Sequence, residues 1–276
     1  MNEDKVLGFQ PGTGFIYELN ATTKLIFLLL VSVACMVTYD TRFLAAICLL
    51  SVFCLKLSGI KWRQVSFVVK LILVFALLNL ITVYLFQPSY GQNLYGSKNV
   101  IVNAGYFTLT QEELFYLFNL VLKYICSIPL LLLFLLTTNP SQFASSLNKI
   151  GVSYKIAYAV ALALRYIPTI QNDYWSISVA QQARGNELSK KASLSKRIKG
   201  TLNIVKPLIF SSLTRIDTIS TAMQLRRFGS KKKRTWYVYQ PFKLPDYLVS
   251  LLALLLVAAV VWLWQINQGR FFNPFK

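Results

Sequence analysis

Five apolar runs constrain this chain more than any other feature: about residues 23–37, 43–57, 65–86, 114–136 and 248–266. A helix that crosses a hydrocarbon core of about 30 Å needs roughly 20 predominantly apolar residues. The runs predict an all-α polytopic membrane protein with about five transmembrane helices. Composition agrees, with 55% apolar residues against 14% charged. Tyr39-Asp40-Thr41-Arg42 alone separates the first two runs, which predicts a tight helical hairpin. Gln87 to Glu113, rich in Asn, Gly and Tyr, is too polar to span. Trp262 and Trp264, near the end of the fifth run, are residues that anchor a helix at headgroup level. The first run starts near Leu25, behind Glu3, Asp4 and Glu18 rather than a basic region, so the first span is expected to be retained.

Basic residues fix the expected orientation, because cytoplasmic connections are enriched in Lys and Arg. Asn139 to Pro245 holds 18 Lys or Arg against three acids, Asp173, Glu187 and Asp217. Lys56, Lys61 and Arg63, between the second and third runs, fall on the same side, whereas the loop before the fourth carries only Lys98. The N-terminus is therefore expected inside and the C-terminus outside. Residues 1–138 should form a membrane domain of four spans, 139–245 a cytoplasmic domain of long helices, and 246–276 a last span with a short external tail.

Several chemistries are excluded. The chain has no histidine, hence no Ser-His or Cys-His pair and none of the commonest metal ligand. Cys35, Cys48, Cys54 and Cys126 lie inside apolar runs without metal-binding spacing and read as small core hydrophobes. No metal site is expected. There is no phosphate-binding loop, since Gly229-Ser230-Lys231 lacks the spacing. Glu18, Asp40, Glu112, Glu113 and Asp246 sit at span edges, leaving no evident carrier for ion coupling. Lys70 is expected to snorkel and Lys123 to pair within the bundle.

The basic segment has its own pattern. Asn139-Pro140 starts a short helix to about Lys149. A long helix should follow over about 153–183, with Pro168 inside and Gly185 at its C-terminal cap. A polar linker, 186–195, leads to a second over about 196–226, with Ile198, Leu202, Val205, Ile209, Leu213, Ile216, Ile219 and Met223 at helical spacing. Pro207 should bend it. Packing of one long helix on the other is the base expectation for most of this stripe. The two helices close on similar words 42 residues apart, Ala180-Gln181-Gln182-Ala183-Arg184-Gly185 and Ala222-Met223-Gln224-Leu225-Arg226-Arg227. An arginine there is favoured by the helix dipole by roughly 0.3–1 kcal/mol, which is the bland reading. The functional one inserts each end into a partner's groove with the guanidinium on a carboxylate. The run Lys231-Lys232-Lys233-Arg234 reads as a membrane-surface patch against anionic headgroups rather than a nucleic-acid site.

At the paired endings the sequence resembles the transmembrane T component of energy-coupling factor transporters, the bacterial importers of vitamins and trace metals. Ala183-Arg184-Gly185 matches the family's X-Arg-Gly signature, and Leu225-Arg226-Arg227 keeps its arginine but replaces the glycine, with Gly229 then expected to end the helix. Leu19-Asn20-Ala21-Thr22-Thr23-Lys24 is a weakened form of the family's Asp-Pro-Arg-Thr-Lys start to the first span. Thr137-Thr138-Asn139-Pro140 and Arg165-Tyr166-Ile167-Pro168 follow in the family's order. The resemblance implies a non-catalytic scaffold in the bacterial plasma membrane, with coupling helices inserted into two ATP-binding-cassette subunits that hold ATP and Mg. It also implies a separate membrane subunit that captures the substrate, with no cofactor in this chain. Ile209, Leu213 and Ile216 are then the expected contacts to that subunit. A stand-alone carrier or channel with a regulatory basic domain is the alternative.

Overall fold

The computed structural model describes residues 12, 14–60, 62–96, 99–102, 108–186, 193–231, 235–236 and 240–274. Lys61, Lys98 and residues 187–192 of the polar linker lie outside them. The chain divides into two units, Met1–Asn139 with Gln240–Lys276, and Pro140–Tyr239.

The first unit is a helical bundle. Its elements are α1 (Phe15–Glu18), α2 (Ala21–Val37), α3 (Thr41–Leu57), α4 (Trp62–Phe86), α5 (Tyr90–Tyr95), strands β1 (Val100–Val102) and β2 (Leu109–Thr110), α6 (Gln111–Thr137) and α10 (Leu244–Ile266). Polar residues set the boundaries: the side chains of Asn20, Asp40 and Thr110 accept backbone N–H bonds at the starts of α2, α3 and α6. Half of α6's most apolar stretch is buried inside the bundle, against 6% for α4 and 11% for α10. So α6 is the central strut, and α4 and α10 turn their sides outward, as lipid-facing helices do. Cys126 and Leu130 of α6 pack with Val31, Ala34 and Cys35 of α2, with Phe43, Leu44 and Ile47 of α3, and with Val260 of α10. On the other flank, Ile128, Leu132 and Leu136 meet Val65 of α4.

Three described helices, α4 from Val65, α6 and α10, are long and apolar enough to cross a membrane. The first two expected spans are helices of 17 residues each, and at 1.5 Å per residue each is about 25 Å long. They do not form a self-packed hairpin. Their main partners are α6 and α10, because the apolar faces of α2 and α3 converge on Cys126 and Leu130.

Acidic side chains are buried at the helix starts, each held by backbone N–H donors. Asp40 accepts from Arg42 at 2.9 Å, Glu112 from Asn99 at 3.1 Å and Glu113 from Gly91 at 2.6 Å. A Cβ on Gly91 would lie 2.6 Å from the Glu113 nitrogen, so only glycine lets α5 approach α6 this closely. Lys70 is exposed, and Lys123 is buried, donating to the Met36 carbonyl at 2.8 Å beneath the Tyr39 ring. The segment after α10 folds back on the same end of the bundle, Tyr39 N–H donating to the Arg270 carbonyl at 2.8 Å and Asn267 Nδ2 to Asp40 at 2.8 Å.

The second unit holds α7 (Pro140–Lys149), α8 (Tyr154–Ala183) and α9 (Leu194–Leu225), with α7 packed on α8 and α8 on α9. Both long helices run unbroken through their prolines, Pro168 and Pro207.

Candidate functional site: two arginine-capped helix ends

Helices α8 and α9 pack with opposed chain directions. Tyr158, near the start of α8, meets Phe228 just past the end of α9 with ring centroids 4.6 Å apart, and further along Asp173 pairs with Arg215 at 2.8 Å. Each helix is about 45 Å long by its rise per residue, so Arg184 and Arg226 occupy opposite ends of the pair.

The two ends are built alike. Arg184 is the C-terminal cap of α8, Gly185 N–H donates to the Gln182 carbonyl at 3.0 Å, and Asn186 N–H to that of Gln181 at 3.1 Å. Arg226 caps α9, Arg227 N–H donates to Gln224 at 2.9 Å, and Phe228 N–H to Met223 at 2.9 Å. These are the paired backbone bonds of the Schellman ending, which needs a left-handed residue just after the cap. Gly185 fills that place with φ 86° and Arg227 with φ 52°. The expectation that Gly229 ends the helix is thus corrected: Arg227 takes the glycine's place, and Gly229 turns the chain two residues later with φ 86°. For a non-glycine residue this conformation costs about 1 kcal/mol or more. That is at least as much as the roughly 0.3–1 kcal/mol a cation gains from the helix dipole. Helix electrostatics alone therefore gives little reason for an arginine at 227.

Ala183, Arg184, Gly185, Leu225, Arg226 and Arg227 are all exposed, Leu225 by 80%. Neither Arg184 nor Arg226 has an ion pair among the described residues. The second end is fastened by an aromatic cluster that the sequence reading missed. Phe228 packs on Tyr154 and Tyr158, Trp236 on Tyr154, and Trp236 Nε1 donates to Asn148 at 3.3 Å. An aromatic residue in the place after the left-handed one was the available signal, since that position commonly makes an apolar contact.

Most of the apolar stripe of α9 is left exposed. Ile204 is fully buried, whereas Ile209, Leu213 and Ile216 are 52%, 51% and 58% exposed, and Ile198 and Leu202 are exposed with them. Most of the stripe is therefore left open rather than packed, while Val205, Ile219 and Met223 are half-buried, Ile204 beside the stripe is buried, and Arg215 reaches α8 through Asp173. Ile216, Ile219 and Met223 border an open apolar cleft of about 510 Å³ between α8 and α9. Of the basic patch, Lys231 is exposed, and Lys232, Lys233 and Arg234 lie outside the described residues.

An apolar helical bundle in one chain with a basic unit of long helices, two of them ending on matched arginine caps, defines an all-α polytopic membrane protein. Residues 12–237 match the CbiQ family, described as cobalt transport protein. Similar proteins include the energy-coupling factor transporter transmembrane protein EcfT of Streptococcus equi, 30% identical over 91% of this chain and 93% of its own. That of Bacillus selenitireducens is 28% identical over 92% and 94%. A putative ABC transporter ATP-binding protein of Bifidobacterium longum is 27% identical over 58% of this chain but only 22% of its own length. The chain belongs to the CbiQ family and is a membrane-embedded T component of an energy-coupling factor transporter.

Proposed function

We propose that this chain is the coupling subunit of an importer for vitamins or trace metals, carrying the motion of two ATPase subunits to a separate substrate-binding membrane subunit. The observation that carries the reading is the pair of matched, exposed arginine caps on α8 and α9. A rigid guanidinium fork on a capped helix end suits insertion into a groove with a buried carboxylate. The Bifidobacterium relative, a far longer protein named for ATP binding that contains a stretch like this one, supports a working tie between the two activities. ATP and Mg belong to the partners, and this subunit does no chemistry. Exposed Ile209, Leu213 and Ile216 serve the substrate-binding subunit, and the lysine-rich run after α9 lies on anionic lipid. The arginine ends face the cytoplasm of a bacterial cell, with the C-terminus outside. The carrier reading loses ground because Asp40 and Glu112 are committed to backbone donors.

The test is replacement of Arg184 and Arg226 by alanine, singly and together, with co-purification of the ATPases as readout. Each anchor is expected to contribute at least about 2 kcal/mol, a loss of roughly 30-fold in affinity. Undiminished co-purification of the double variant would remove the proposal.

A further inference from the structure

The start of α2 has a task that its weak family likeness does not reveal. The chain leaves the membrane unit after Asn139 and rejoins it at Gln240. Both crossing points are tied to the same helical turn. Lys24 Nζ donates to the Thr137 carbonyl at 3.0 Å and, more weakly, to that of Tyr17 at 3.5 Å. Asn20 Nδ2 donates to the Gln240 carbonyl at 2.8 Å. The Asn20 backbone N–H donates to Asp246 Oδ1 at 2.8 Å, the other carboxylate oxygen takes the Lys243 N–H at 2.8 Å, and the carboxylate's charge also acts on the Lys24 ammonium. Asn20, Lys24, Thr137 and Asp246 are all buried.

Local structure does not require these ties. Asn20 already caps α2 through Oδ1, which takes the Thr22 N–H at 3.0 Å, and serine would do the same. The amide donor to Gln240, 220 residues away, is surplus to capping. A lysine buried between α2 and α6 is a costly way to pack a site that methionine would fill, unless its charge-assisted bonds hold something in place.

We infer that Asn20, Lys24 and Asp246 form a clamp on both strands through which the 140–239 unit joins the membrane helices, so that force on that unit reaches α2, α6 and α10 together. They are positioning residues, and the inference rests on the coupling function proposed above. The test uses the purified complex with its ATPases, ATP as the probe, and spin labels at Gln111→Cys and Gln265→Cys in a chain whose native cysteines are alanine. In the parent, ATP is expected to shift the label distance. Lys24→Met and Asn20→Ser are expected to keep hydrolysis within about twofold while losing most of the shift, and Lys24→Arg to restore it. Asn20→Ser decides the matter if Lys24→Met fails to assemble. Variants with the full shift, hydrolysis lost in step with the shift, or a hydrolysing parent with no shift would each overturn the clamp. A parent that brings no ATPase with it overturns the coupling function instead.

Discussion

Arg227 stands where α8 has Gly185, and the backbone bonds around the two are the same. Replacing it by glycine should relieve the left-handed strain by about 1 kcal/mol. Amide exchange in the last turn of α9 should then slow about fivefold, while the Arg184 end stays unchanged; unchanged exchange at both ends would contradict the strain. Residue identity made some of this scale legible. Arg184 and Arg226 stood out by their repeated setting, and Lys123 by its place within an apolar run. The conformation of Arg227 was hidden because a glycine two residues on offered a plausible stop, and sequence does not say which of two candidates takes the left-handed turn. Phe228 was hidden for a related reason, since its value lies in Tyr154 and Tyr158, some 70 residues earlier in the chain.

Helix existence was readable from period and caps, and the ends of α7, α8 and α9 fall within two residues of their expected places. Partner choice was not readable. A stripe at helical spacing says that a face is apolar, not what covers it, and on α9 it is Gly200 and Ile204 rather than Leu213 that turn inward. Likewise α2 and α3 are adjacent in sequence yet spend their apolar faces mainly on α6 and α10. The exposed stripe leads to a separable prediction. Leu213→Asp should leave helix content by circular dichroism and ATPase co-purification intact, while recovery of the substrate-binding membrane subunit falls by roughly tenfold or more. Loss of helix content with it would mean that the stripe is packing after all.

At the scale of the molecule, five apolar runs announced a membrane bundle, and five helices occupy them, with α2 and α3 shorter than a full hydrocarbon crossing. The charge asymmetry bears on orientation: Ser193→Cys, beside the start of α9, should react with a membrane-impermeant maleimide only after permeabilisation, and Gln268→Cys, past α10, in intact cells. The reverse pattern would invert the topology. An open cleft of about 510 Å³ and a half-exposed Asp173–Arg215 pair join α8 to α9, a contact with room to shift. The central claim is that the two arginine-capped ends are where the ATPases attach. Photo-crosslinking residues placed singly at Ala183 and Leu225 test it most directly, with Trp175, exposed on the flank of α8, as control. The account predicts crosslinks to an ATP-binding subunit from both ends and none from the control; no such crosslink from either end, or equal yield from Trp175, would contradict it.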